Sequence, residues 1–225
     1  MSSAAVDLLS VHVPKTAGTS FKRHLQAIYG PEAVHLVYPD DQERAISDEE
    51  FWIRDCAAVA RNPTRSRVIH GHFPLAPYRL RFPSAALVTW LRHPVDRVVS
   101  HYHFFYKASR QPEVRRSDVY LQPRSSTMSL LEFAAAPWMR DLVSRYYLGG
   151  VKAEEFLFIG IHERMDADVS RLAKLLGWPP NAFPHTNPTT APEYQEARRI
   201  DPKTRQVIAD LHPGDMELYE RALSR

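Results

Sequence analysis

The chain has 225 residues, long enough for a single domain with a sizeable core. Its 29 lysines and arginines exceed its 26 acidic residues only slightly, a balance too mild to imply nucleic acid and well suited to a small anionic ligand. One cysteine, Cys56, excludes an intramolecular disulfide framework. With no signal peptide and no apolar run near twenty residues, the expectation is a cytoplasmic protein without an integral membrane segment.

In chain order, Leu9, Val11 and Val13 alternate as in a strand, and Phe21, Leu25, Ile28 and Tyr29 follow at helical spacing. Pro31 to Pro39 reads as a connection. Ser47 to Glu50 has the spacing of a capping box ahead of a helix that turns Trp52, Cys56 and Val59 inward. Val68 to His72 is a short strand running into a loop broken by Pro74 and Pro77. Ala86 to Leu91 is a strand covered on both faces, and a helix with Val95, Val98, Val99, Tyr102 and Phe105 on one side follows it. Residues 110–130 are polar and without period, an exposed and mobile segment suited to an acceptor. A helical region through Trp138, Leu142, Tyr146 and Tyr147 stops at Gly149 and Gly150, before a buried strand from Phe156 to Ile161 and a helix from Met165 to Leu176. Residues 179–192 form a second loop, and terminal helices split near Pro213. The alternation predicts an α/β fold of three layers, a mainly parallel sheet flanked by helices, in one domain over 1–225. Sites in such folds lie at strand C-terminal ends, where Lys15, His70, Arg92 and the turn after Ile161 fall.

Three constellations share that edge. In Pro14-Lys15-Thr16-Ala17-Gly18-Thr19-Ser20 a lysine and a glycine stand between strand and helix, so free N–H groups at a helix start can bind an anion. The lysine precedes the glycine, which is the wrong order for an ordinary ATP or GTP loop. Arg92-His93-Pro94 offers a guanidinium at a strand end, with the Ser100 hydroxyl two helical turns on. Arg92 and Arg97 also read as surface ion-pair residues, with Asp96 as one partner. In His70-Gly71-His72, extended backbone turns both imidazoles to one face, where either can take a proton near neutral pH. That spacing also suits two zinc ligands, but no neighbouring residues complete a tetrahedral set, and no metal is expected. His101 and His103 read as ordinary helical residues.

Together these motifs resemble the sulfotransferases that use 3′-phosphoadenosine 5′-phosphosulfate (PAPS). The first loop is similar to their 5′-phosphosulfate loop and Arg92 through Ser100 to their 3′-phosphate motif. The order with His70-Gly71-His72 between them resembles the carbohydrate branch that sulfates heparan and dermatan uronic acids at the 2-O position. Phe158 to Arg164 is similar to the family's late strand and turn. The chain departs from that branch in having His12 where arginine is usual, His93 in place of aspartate before Pro94, and a short C-terminal region.

The resemblance implies a P-loop-like fold and assigns Lys15, Thr16, Ala17, Gly18, Thr19, Ser20, Arg92 and Ser100 to the donor. His72, assisted by His70, becomes the base towards a hydroxyl, expected to be that of a saccharide, with Lys15 stabilising the departing phosphate. PAPS is then the co-substrate and no metal is required. A nucleotide-dependent kinase with an atypical loop, and a non-catalytic anion- or glycan-binding protein of the same fold, are the alternatives.

Overall fold

The computed structural model describes residues 6–16, 18–38, 49–61, 66–110, 128–179 and 199–225. Strands β1 (Leu8–Val11), β2 (Val34–Val37), β3 (Val68–Gly71), β4 (Ala86–Leu91) and β5 (Phe158–Ile161) form one parallel sheet in the order β2-β3-β1-β4-β5. β1, β3 and β5 are buried throughout, as strands of a parallel sheet covered on both faces are.

Helices cover both faces. Leu8, Val68, Val88, Trp90 and Phe158 pack with Phe21 and Leu25 of α1 (Gly18–Tyr29) and with a later helix, described below. Leu9, Val11, Ile69, Leu87, Leu91, Ile159 and Ile161 pack in the second core, which takes side chains from α2 (Glu49–Arg61), α3 (Leu75–Arg81), α4 (Pro94–Arg110) and α5 (Leu130–Ala135). The helix that joins α1 is α6 (Met165–Leu176), through Val169 and Leu172. α7 (Pro202–Leu211) and α8 (Pro213–Leu223) close the second core with Ile208, Tyr219 and Ala222. Among the described residues no helix is long and apolar enough to cross a membrane.

The topology positions the site. From β1 the chain runs to β2 and back to β3, then crosses β1 to β4 and on to β5. Connections therefore diverge between β1 and β4, and a crevice opens there at the strand C-terminal ends. α1 leaves on one side of it and α4 on the other.

Three elements differ from the sequence reading. β2 lies within the expected connection; its Val34 and Val37 are buried and Leu36 is exposed, so a four-residue edge strand shows no strict alternation. α3 replaces the loop at Pro74 and Pro77: Pro74 caps it and Pro77 stands in its first turn, where a missing N–H costs no helical bond. The helical region expected through Trp138, Leu142, Tyr146 and Tyr147 is not a regular α-helix. α5 opens on a capping box between Ser129 and Glu132, and Asp141 adopts a left-handed conformation (φ 49°) before a π-type turn over Leu142–Tyr147. The expected cap at Ser47 lies outside the described residues, as do most of 110–130 and nearly all of 179–192.

Candidate active site

At the end of β1 the chain turns through Lys15, whose φ of 71° is rare for a residue with a Cβ. The turn is braced by the buried Thr16 hydroxyl, which donates to the Val13 carbonyl at 2.8 Å. Gly18 opens α1 because a Cβ there would lie 1.8 Å from the His12 ring. Ser20 is half-buried on the first turn, while Ala17 and the Thr19 side chain lie outside the described set. The loop thus brings unpaired N–H groups and the positive end of α1 to the crevice. The Lys15 ammonium reaches across it and sits over the Phe104 ring of α4, 4.5 Å from the centroid.

Arg92, at the end of β4, faces the loop; its guanidinium makes a long 3.5 Å contact to the Lys15 carbonyl. Arg92 is buried, and so is Ser100 on α4, whose hydroxyl has no hydrogen-bond partner among the described residues. A buried hydroxyl without a partner is costly, and a ligand oxygen beside it removes that cost. The surface ion pair expected of Arg97 is overturned. Arg97 is 1% exposed and pairs with Asp215 of α8 at 3.4 Å, because it faces the second core, while Asp96 on the outer side of α4 pairs with Arg205 at 2.7 Å. Asp215 also accepts from the Ser144 backbone (2.7 Å) and hydroxyl (2.8 Å), tying α8 and the π-type turn to α4. On the far side the Glu163 carboxylate accepts the His93 N–H at 2.9 Å and the Tyr219 hydroxyl at 3.2 Å, joining the ends of β4 and β5 to α8.

The two histidines after β3 do not act as an equivalent pair. His70 is buried on the α1 side with its Nδ1 2.9 Å from the Ser10 hydroxyl and its ring near Phe21. His72 lies beyond the strand end. A Cβ on Gly71 would come within 1.9 Å of the Val37 carbonyl, so only glycine lets the chain pass β2 there. The His72 Nδ1 is 2.6 Å from the His12 carbonyl. A carbonyl only accepts, so Nδ1 carries the proton and Nε2 keeps the lone pair. The His12 ring stacks on His72 (4.2 Å between centroids) and runs nearly parallel to His70 (5.5 Å), with its Nδ1 2.9 Å from the Tyr38 hydroxyl. Burial pushes His72 down to about 4 and, with the charge of His72 adding to it, His70 to about 3; His12 is also held well below the usual range by burial and its neighbours. All three are neutral at pH 7. The fixed positive charge of the crevice therefore comes from Lys15 and Arg92.

A family model described as the sulfotransferase family matches residues 3–220. The chain belongs to the sulfotransferase family. No curated protein matches it. Among solved structures it is similar to a sulfotransferase from Alicyclobacillus acidocaldarius, with 16% identity over 98% of this chain and 97% of that one at a TM-score of 0.48. It is similar also to mouse sulfotransferase SULT7A1 complexed with PAP, with 15% identity over 97% and 89% of the two chains at a TM-score of 0.47.

In this family member some groups at the crevice went unmarked in the sequence. In the sequence His12 stands out only as a departure from the resembled branch, yet its carbonyl sets the His72 tautomer and its ring demands Gly18. His101, which reads as an ordinary helical residue, is buried, and its protonation is opposed by burial and by the charges of Arg97, Lys15 and His72. Only a strongly apolar helix around it hinted at burial. Among the described residues Asp141, His212 and Asp215 form a cluster of metal-ligating type; its carboxylates are engaged within the protein, while the buried His212 Nε2 has no hydrogen-bond partner among the described residues. Asp141 accepts the Asp215 N–H at 2.9 Å, His212 Nδ1 faces the Asp141 N–H at 3.2 Å, and Asp215 holds Arg97 and Ser144. Beside a buried guanidinium that cluster serves as a brace.

Proposed function

We propose that the protein transfers a sulfuryl group from PAPS to an acceptor hydroxyl. The observation that carries this reading is the buried pair Arg92 and Ser100, the latter a hydroxyl lacking a partner, set across the β1/β4 crevice from an anion loop. Two anion sites on opposite walls suit a donor phosphorylated at both ends.

Bound there, PAPS would supply the activated sulfuryl group and a phosphate leaving group. Lys15 and the α1 N–H groups stabilise negative charge on the 5′ side, while Arg92 and Ser100 hold the 3′-phosphate; Thr16 braces the loop, and Gly18 and Ser20 line it. His72, rather than His70, takes the acceptor proton at Nε2, because its tautomer is fixed by the His12 carbonyl while His70 is bound to Ser10. Its depressed basicity keeps it unprotonated at neutral pH, as a base must be. The acceptor is read as a saccharide hydroxyl, and the 2-O branch as the one the chain resembles, on the order of the three motifs.

Calorimetry with 3′-phosphoadenosine 5′-phosphate tests the donor. Loss of a hydrogen bond to a charged group costs about 1.5–3 kcal/mol, so Arg92→Ala should weaken binding by ~10- to 100-fold. Equal affinity for adenosine 5′-phosphate in the wild type would sink the reading. Transfer of labelled sulfate to oligosaccharides but not to lipids or phenols identifies the acceptor class.

A further inference from the structure

β4 and β5 run in register, with Leu91 opposite Ile161, so the next residues, Arg92 and His162, leave adjacent strand ends on the same side. Glu163 locks this arrangement through the His93 N–H, and Tyr219 of α8 holds Glu163 in turn. His162 is half-buried and within reach of the charge of Arg92, whose buried guanidinium faces the Lys15 carbonyl. We propose that His162 is a second contact for the phosphate held by Arg92, and that it takes up a proton from solvent when a phosphate dianion arrives there. This rests on the donor reading above and adds a specificity-determining residue to it.

The charges around the imidazole explain why the proton waits for the ligand. Burial and then the Arg92 charge hold His162 down to about 4; Glu163 and Asp96 pull the other way but are each engaged, Glu163 with His93 and Tyr219, Asp96 with Arg205. Without ligand the imidazole is therefore neutral at pH 7. A phosphate dianion seated on Arg92 cancels that repulsion and adds an attraction of its own, in the same direction as Glu163 and Asp96, so the charges around His162 turn in favour of its protonated form. Protonated His162 is then a donor to a phosphate oxygen, a charge-assisted bond that a ligand lacking that phosphate cannot elicit. At a pH above the free value, each unit by which the bound pKa exceeds the pH is tenfold in affinity.

The test is calorimetric titration of the full chain with 3′-phosphoadenosine 5′-phosphate between pH 5.5 and 8, in two buffers of contrasting ionisation heat. The phosphate itself titrates near pH 6, so the decisive quantity is the difference between wild type and His162→Gln. As pH falls, wild-type affinity should gain on that of His162→Gln by about tenfold across the range, with proton uptake at pH 6 that the variant lacks. His162→Arg, permanently charged, should recover tight binding without that pH-dependent gain, which a packing role would not produce. Adenosine 5′-phosphate should bind wild type and His162→Gln alike. Equal affinity and equal proton uptake in wild type and His162→Gln would overturn the assignment while leaving the donor reading intact. Absence of binding to the wild type would remove both.

Discussion

The two walls of the crevice are built by different means. At the end of β1 the anion loop is braced within itself, Thr16 to Val13, around a left-handed backbone at Lys15, and Lys15 adds contacts to Phe104 and, at 3.5 Å, to Arg92. At the end of β4 the equivalent support comes from side-chain charges far away in the chain: Arg97 to Asp215 over 118 positions, Arg205 to Asp96 over 109 and His93 to Glu163 over 70. The first wall presents backbone donors on a local turn, and the second a guanidinium whose seat depends on the C-terminal helices. Damage to α8 should therefore reach the Arg92 side and spare the loop.

The largest effect expected is on that second wall. Arg97→Ala leaves Asp215 buried without its cation and should destabilise the fold by ~3–5 kcal/mol, measured by urea unfolding. Replacing both, Arg97→Met with Asp215→Leu, should cost less than Arg97→Ala alone, since no buried charge is stranded. If the double variant is the less stable of the two, the pair is a net source of stability and the contrast between the walls narrows. Next in size is His72→Ala, expected to lower turnover by about 10²- to 10⁴-fold with little change in donor affinity. An equal loss for His70→Ala would show that the two histidines share the chemistry.

This contrast also explains what was legible in the sequence. The parallel α/β plan and the loop, Arg92 and Ser100 were readable because strand, turn and helix each announce themselves within ten residues. The partner of Arg97 was not, since no local pattern links a residue to one 118 positions away; adjacent Asp96 was the natural guess and it points elsewhere. Alternation put His70 and His72 on one face, but the passage of Gly71 against the Val37 carbonyl ends the strand between them. The part played by His12 was hidden because it acts partly through its carbonyl, which carries no side-chain signature.

Acid offers a third contrast, now favouring damage at the histidines. His70 and His72 have folded-state values below 6.5, so the unfolded chain binds protons more readily, and stability is full above about pH 6.5 and is lost as pH falls towards their folded values. At pH 5 the loss should be about 2 kcal/mol for each, read from denaturant midpoints at pH 7 and 5. A midpoint unchanged over that interval would mean the stack accepts protons in the folded state, and the claim of three neutral rings would fail.

The smallest effect concerns Lys15 and separates the loop's two properties. Its left-handed backbone costs a residue with a Cβ about 1 kcal/mol, whereas glycine adopts the same φ without that penalty but gives up more chain entropy on folding. Lys15→Gly should leave stability unchanged or raise it by up to about 1 kcal/mol while weakening binding of 3′-phosphoadenosine 5′-phosphate by tenfold or more. Lys15→Ala removes the ammonium yet keeps the strain, so it should bind as poorly as the glycine variant and be the less stable of the two. Opposite signs for stability and binding in Lys15→Gly would mark a conformation kept for the ligand. If Lys15→Gly is instead the less stable variant, the turn is fixed by the Lys15 contact with Phe104, and the β1 wall, like the β4 wall, rests on a side chain reaching across the crevice.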